Sequence, residues 1–471
     1  MDYQTSMNLN NKNKRIHFIS IGGAAMHSLA LALDQAGWKV TGSDDEIRDP
    51  SRGRLEKAGL LPDSDGWDPS RVDPGLDAVI LGMHARGDNP ELARARELGI
   101  RIYSFPEFLY QRSRDRKRVV VGGSHGKTTV TSIILHVLNH EGIDCDFLVG
   151  AKVDGFDNLA RLDSGGDLAV FEGDEYLSSP LDPLPKFLHY RPHLAVLTGI
   201  AWDHINVFPD YQGYLQQFRE FVSRIEPSGR LVYCSDDPEV RRIADAARPD
   251  IVKIPYSTHP YEVRAGRFFL MRKDKRLLPL QLFGRHNMQN ISAAAKVCSS
   301  LGVSAEDFYL AIQSFRGASR RLQRLGEGDD FTVYLDFAHA PSKVKATVDA
   351  VRELHPDRSL VACLELHTYS SLSSAFLSQY RGSLDAADSA VVFFDPAAVR
   401  LKRLQPLAPD EIRAGFQHRN LTVMTSAEEL EEWSQGLDLD ESSLLFMSSG
   451  NFGGFKPAEI PKLKGRGKPE R

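Results

Sequence analysis

The run Val119-Val-Val121, Gly122-Gly-Ser-His-Gly-Lys-Thr-Thr129 and the apolar-periodic stretch that follows to Glu141 constrains the chain more than any other segment. A β-branched run, then clustered glycines, then a helical period reads as strand, tight turn and helix. Glycines let the backbone wrap an anion with its N–H groups, and a helix N-terminus adds positive potential. Lys127 is placed to reach the β- and γ-phosphates of a nucleotide and the Thr128 hydroxyl to meet magnesium, while Gly123, Ser124, His125, Gly126 and Thr129 complete the cradle. The spacing departs from the usual consensus, which puts glycine where Val121 stands. A unit of this kind belongs in a parallel sheet covered by helices.

The same alternation runs through the chain. Arg15–Ile21, Gly22-Gly23 and the periodic Met26 to Ala36 make a first strand, turn and helix, and the segment Trp38 to Ser43 makes a second strand ending at Asp44. Ala78–Leu81, Pro90–Leu98 and Ile100–Tyr103 continue the βαβ rhythm to the charged connector Gln111–Arg118, which carries few apolar anchors and reads as a boundary. Beyond the glycine loop, strands are expected at Leu168–Phe171, Ala195–Leu197 and Leu231–Tyr233, and a helix over Ile291–Leu301. A last series runs from Phe331–Leu335 through Val361–Leu364 and Ala390–Phe394 to Leu444–Met447. At 471 residues the chain is too long for one core. The expected fold is α/β in three domains: a Rossmann-like unit over 1–118, a phosphate-loop unit over 119–317 and a second Rossmann-like unit over 318–471.

Composition removes several classes. Charged residues make up 26% and hydrophobic residues 42%, and no unbroken apolar run is long enough to span a bilayer. A net charge of -5 argues against a nucleic-acid footprint, despite the basic tail Lys462–Arg471. Met1–Lys14 is polar without an apolar core, so it reads as a loose leader and predicts a cytoplasmic protein. Cys145, Cys234, Cys298 and Cys363 are too scattered for a thiolate metal site and are expected to be buried. The turn Ser20-Ile-Gly-Gly-Ala-Ala-Met26 is a poor dinucleotide fingerprint, because Ser20 and Ala25 stand where glycines belong.

The shortened Gly-Ser-His-Gly-Lys-Thr loop resembles the ATP loop of the Mur ligases, and further segments fit the same family. Phe171-Glu-Gly-Asp-Glu-Tyr176 resembles its acidic segment, where Glu172 takes the position of a magnesium ligand. Ile200-Ala-Trp-Asp-His-Ile-Asn206 is similar to the segment whose histidine, here His204, meets a second magnesium. Gly284–Asn290 matches the adenine-side signature, with His286, Asn287 and Asn290 as nucleotide contacts. Arg320-Arg321 and Asp336-Phe-Ala-His-Ala-Pro341 resemble the opening of the C-terminal domain, which would close over ATP with Arg321, Asp336 and His339 near the nucleotide. The glycine turn after the first strand resembles the UDP-binding turn of the muramate-handling members, with Gly22, Gly23, Ser43, Asp44 and His84 as donor contacts.

The resemblance covers about Arg15 to Phe455 and implies an ATP- and magnesium-dependent ligase. It would activate the lactyl carboxylate of UDP-N-acetylmuramate as an acyl phosphate and couple it to an amine, with Lys127, Glu172, His204 and Arg321 carrying the chemistry. Lys186–Pro192, Glu172–Tyr176 and Met447–Gly454 are most similar to members that add the tripeptide L-alanyl-γ-D-glutamyl-meso-diaminopimelate, and the alternative acceptor is L-alanine. His367 and Tyr369, in His367-Thr-Tyr-Ser370, are the expected acceptor contacts, although that segment replaces the family's Arg-Ser-Asn-Thr. The competing expectation from another class is a nucleotide-binding sensor or scaffold without catalysis.

Overall fold

The computed structural model describes residues 14–460 except His84, His204, Asn206 and Asp329. The leader up to Asn13 and the basic tail lie outside these residues, as do two of the expected site residues, His84 and His204. The chain divides into two compact units, Met1–Ile200 with Leu215–Tyr256 and Ala293–Ser304, and Ala201–Tyr214 with Ser257–Ser292 and Ala305–Arg471.

The first unit holds two parallel sheets. One contains β1 (Arg15–Ile19), β2 (Lys39–Ser43), β3 (Ala78–Leu81) and β4 (Ile102–Ser104) in the order β2-β1-β3-β4. The other is built from β5 (Lys117–Gly122), β6 (Asp146–Leu148), β7 (Ala160–Arg161), β8 (Leu168–Glu172), β11 (Leu194–Leu197), β12 (Arg230–Cys234) and β13 (Val252–Tyr256). Its order is β13-β12-β11-β5-β8-β6-β7, with only β7 antiparallel. Between β8 and β11 the chain forms a hairpin of β9 (Leu177–Ser179) and β10 (Asp182–Pro185). Val119, Val120 and Val121 of β5 have no exposed surface, as expected for a central parallel strand covered on both faces.

The second unit carries a small antiparallel sheet of β14 (Tyr261–Arg264), β15 (Arg267–Met271) and β16 (Leu277–Pro279). Its large sheet uses β17 (Gln323–Glu327), β18 (Phe331–Asp336), β19 (Ser359–Glu365), β20 (Ser389–Phe393), β21 (Leu421–Met424) and β22 (Ser442–Met447). The order is β17-β18-β22-β19-β20-β21, with β17 alone antiparallel. Phe331, Val333, Cys363, Val391, Leu444 and Phe446 build one core from its central strands.

Within the connector Gln111–Arg118, Arg118 is 2% exposed and donates to the carbonyls of Ser113, Arg114 and Tyr190, with Glu226 as its counter-ion. Its charge satisfies chain-end carbonyls rather than water. The helix expected over Ile291–Leu301 begins earlier, at Arg285, and runs to Ser300, so His286, Asn287 and Asn290 stand in its first two turns. The four cysteines are buried and free. Among the described residues no helix is long and apolar enough to cross a membrane.

A buried hydrogen-bonded contact fastens the first sheet to the helix Pro90–Glu97. His17 on β1 and Glu91 have fully buried side chains, His17 Nε2 lies 3.2 Å from Glu91 Oε2, and Glu91 Oε1 accepts the Asp68 N–H at 2.9 Å. Removing the Glu91 carboxylate leaves buried His17 Nε2 and the Asp68 N–H without this partner, at a cost of about 1–3 kcal/mol. Glu91→Ala is therefore expected to lower the midpoint of the unfolding transition that reports on the first sheet, measured by urea titration.

Candidate active site

β5 ends at Gly122, with β8 on one side and β11 on the other, registered so that Val121 faces Glu172 and Gly122 faces Leu197. The glycine loop, the acidic segment and Thr198 therefore emerge at one carboxyl edge. Gly123 has φ +129°, and a Cβ there would lie 2.1 Å from Thr198 Oγ1. Thr198 donates its hydroxyl to the carbonyl of Gly122 at 3.2 Å and also to that of His125, while Ser124 N–H donates to Gly199 O at 2.7 Å. Gly126, at φ +69°, caps the helix Lys127–His140 without a side-chain cap. The first turn of that helix has N–H groups with no intrahelical acceptor, as every helix does.

Lys127 and Thr128 open this helix. Lys127 Nζ donates to Gly123 O at 2.7 Å and to Glu175 Oε2 at 2.6 Å. Burial pushes the Lys127 ammonium down, but Glu175, Asp174 and Glu172 outweigh it and hold its pKa above the ordinary lysine value. The Thr128 hydroxyl donates to Glu172 Oε1 at 2.7 Å, and Gly150 N–H donates to Glu172 Oε2 at 2.6 Å. Thr128 and Glu172 thus bring two oxygens together at the helix mouth, a fit for magnesium, which takes one or two protein oxygens and otherwise keeps waters or phosphate. Among the described residues no cluster of three His, Cys, Asp or Glu side chains forms a metal cage.

In the first sheet the turn after β1 is closed by backbone bonds from Ser20 and Ile21 to Ser43 O, at 2.8 and 3.0 Å. Gly22 N–H donates to Asp44 Oδ2 at 2.7 Å, a Cβ on Gly22 would lie 2.9 Å from that oxygen, and Gly23 follows as the residue preceding the helix Ala24–Gln35. Ser43 Oγ accepts from Arg71 at 3.0 Å. Burial lifts the Asp44 carboxyl to about 7, helped by its neighbour Asp45. Beyond the ends of β3 and β4 lies a cavity of about 390 Å³ lined by Leu81, Ile102, Ser104, Glu107, Asp182 and His189.

The second unit carries the other described expected residues next to its strands and on the helix Arg285–Ser300. Asp336 ends β18, accepts the Ala338 N–H at 2.6 Å, and is lifted to about 6 by burial against the pull of Arg321. Arg321 lies 4.6 Å from the centroid of the Phe337 ring, and His339 Nε2 lies 3.8 Å from Asp203 Oδ2, which Lys343 approaches at 3.5 Å. At the start of the helix Arg285–Ser300, Asn290 donates to Asn287 at 3.2 Å and Asn287 to Phe283 O at 2.9 Å. Burial lowers His286 to about 4, so its ring is neutral, and its Nδ1 is enclosed without a hydrogen-bond partner among the described residues. His367 lies 3.6 Å from Glu365, and Tyr369 is exposed beneath Lys402.

Three family profiles match in series: "Mur ligase family, catalytic domain" over residues 15–117, "Mur ligase middle domain" over 121–298 and "Mur ligase, glutamate ligase domain" over 320–450. The chain belongs to the Mur ligase family. Like its relatives it is an ATP-dependent acid–amino-acid ligase of three-domain α/β architecture. This Mur ligase is 34% identical over 379 residues to a UDP-N-acetylmuramate–L-alanine ligase of Burkholderia thailandensis, spanning 77% of this chain and 79% of that one. Its fold superposes on a murein peptide ligase from Psychrobacter arcticus with TM-score 0.67 and 25% identity, covering 96% and 99% of the two chains. A UDP-N-acetylmuramate–alanine ligase from Thermotoga maritima shares the fold with TM-score 0.69 at 22% identity, over 93% and 96% of the chains.

Two carboxylates that contact expected site residues, one in each unit, were not singled out from sequence. Glu175 is one, detectable only as an acidic neighbour of Glu172 until its side chain is seen on Lys127. Glu365 is the other: burial pushes its carboxyl up, but His367, Ser448 and the Phe452 N–H outweigh that and hold it below the ordinary glutamate value. Two expectations follow. Gly123→Ala forces its methyl into Thr198, so binding of a non-hydrolysable ATP analogue, measured by calorimetry, is expected to be lost while the protein stays folded. For Asp44, a folded-state value above the unfolded one means that stability is fully present below about pH 4 and is lost as pH rises toward 7. Asp44→Asn is expected to remove that loss from a series of melting curves across this range.

Proposed function

We propose that this Mur ligase joins the lactyl carboxylate of UDP-N-acetylmuramate to the amine of L-alanine. The observation that carries this choice of acceptor is the 34% identity with an L-alanine-adding ligase across 77% of the chain. The acyl transfer has two balanced steps. A lactyl carboxylate oxygen attacks the γ-phosphorus of ATP, ADP leaves, and an acyl phosphate forms; the alanine nitrogen then attacks the acyl carbon, phosphate leaves, and the amine gives up a proton. Such chemistry depends on positioning and on stabilising transferred charge more than on a protein nucleophile.

In this reading residues 1–118 hold the UDP-sugar through Gly22, Gly23, Ser43, Asp44 and His84. Residues 119–317 hold ATP through the loop Gly123–Thr129 together with His286, Asn287 and Asn290. Residues 318–471 supply Arg321, Asp336 and His339 toward the nucleotide and His367 and Tyr369 toward the acceptor. Lys127 and Arg321 offset charge on the transferred phosphoryl group. Thr128, Glu172 and His204 are the residues that would hold magnesium, which supplies further charge neutralisation. ATP and a UDP-sugar as substrates put this work in the cytoplasm.

A second reading keeps the same chemistry with the tripeptide L-alanyl-γ-D-glutamyl-meso-diaminopimelate as acceptor. It is supported by the likeness to the Psychrobacter arcticus murein peptide ligase over 96% of the chain. The contact between His367 and buried Glu365 weighs the other way, because it engages the side chain that stands where the resemblance expects arginine. The deciding assay offers ATP and UDP-N-acetylmuramate with either acceptor and weighs the UDP product by mass spectrometry. L-Alanine is expected to give the higher kcat/KM; a preference for the tripeptide would install the second reading, and no phosphate release with either would leave a binding protein. In the same assay Lys127→Ala is expected to cost about 10² to 10³ in turnover, the usual loss for one preorganised donor to developing charge.

A further inference from the structure

Lys127 does not face its loop as a bare cation. Its ammonium is 2.6 Å from Glu175, whose side chain is 1% exposed, and the lysine side chain itself is 13% exposed. The three carboxylates of the acidic segment are divided among different partners. Glu172 takes the Thr128 hydroxyl and the Gly150 N–H, Asp174 pairs with Lys186 at 2.6 Å, and Glu175 sits on Lys127. An anion entering the loop must therefore exchange with a carboxylate already in contact with the one lysine of the loop.

We propose that Glu175 is a specificity-determining residue, an internal anion seated on Lys127 that a polyphosphate displaces and a single phosphate does not. The proposal rests on the reading of this loop as the ATP site and deepens it. A lone phosphate that takes Lys127 from Glu175 trades one charge contact for another and parts a carboxylate that is 1% exposed from its cation, so its net gain is small. A triphosphate brings further oxygens to the loop and to the N–H groups of the first helical turn, and that added binding drives the exchange. Glu175 thus filters for chain length of the phosphate, because it raises the threshold that every anion has to pass by the same amount.

The test compares wild type, Glu175→Gln and Glu175→Asp for binding of a non-hydrolysable ATP analogue by calorimetry and for protection by inorganic phosphate in melting curves. Circular dichroism confirms the fold of each variant. Wild type is expected to bind the analogue and to gain no protection from millimolar phosphate. Glu175→Gln is expected to bind the analogue about tenfold tighter and to be protected by phosphate, since the competing charge is gone. Glu175→Asp, which keeps the charge on a shorter arm, is expected to fall between them and carries the test if the glutamine variant does not fold. Analogue affinity that is unchanged or weaker in a folded variant, with no response to phosphate, overturns the proposal. Failure of the wild type to bind the analogue overturns the ATP-site reading itself, and is distinguished by occurring before any substitution.

Discussion

The close approach of Gly123 to Thr198 is the constraint on which the candidate site depends. Three parallel strands, β8, β5 and β11, end in register, so whatever follows each of them is forced to one edge of the sheet. Ligands of open α/β sheets bind beyond such carboxyl ends. The loop after β5 could loop away from its neighbours, and Thr198 prevents this by donating to carbonyls on both sides of Gly123. Without a side chain at 123 the backbone lies against the end of β11, and the helix that follows starts with Lys127 and Thr128 directed at Glu175 and Glu172. The chemistry assigned to four side chains is thus set by a backbone contact that involves none of them.

The same principle governs the acids. Glu172 is the last residue of β8, so its direction is set by the strand pleat, and it reaches Thr128. Asp174 and Glu175 lie beyond the strand, where the chain turns toward the hairpin β9–β10, and they meet separate lysines. In the other large sheet Asp336 and Glu365 likewise terminate strands, β18 and β19. Burial raises the first, whereas hydrogen bonds from Ser448 and Phe452 and the neighbouring His367 overcome burial for the second. Residue type and position at a strand end are shared; the donors within reach decide which carboxyl stays charged.

The parallel sheets were legible in the sequence because their strands are short apolar runs followed by glycine or by an acid, and the helices between them keep a clear period. The loop Gly122–Thr129 was legible for a stronger reason: its glycines, lysine and threonine have meaning only at a strand-to-helix turn. The sheet β14–β16 was not, because its strands are short, partly exposed and mix Arg and Glu with apolar residues, leaving the turn at Ala265-Gly266 as the main signal. Glu91 shows a different limit. It stands in the stretch Pro90–Leu98, read as part of the βαβ rhythm, and the structure buries it completely against His17. A glutamate at a helix start carries no mark in sequence that tells a buried hydrogen-bond partner from a solvated first-turn acid. Glu175 was obscured in the same way, since its role comes from a lysine 48 positions earlier in the chain.

Ser20 bears on whether the turn after β1 can still serve a diphosphate. The resemblance expects glycine there, and the structure shows why: Ser20 has φ +70°, in the left-handed region where a Cβ crowds the carbonyl. A non-glycine residue pays roughly 1–2 kcal/mol for that conformation. The turn holds it because the N–H groups of Ser20 and Ile21 share Ser43 O and Gly22 is fixed by Asp44. Those bonds are made by backbone and by one carboxylate, none of which depends on the side chain at 20. The serine hydroxymethyl faces Gly82 instead, where an added Cβ would come within 2.8 Å of it. The lost glycine at 20 is therefore matched by a glycine at 82 that makes room for the larger residue, and the course of the backbone past Gly22 and Gly23 is preserved.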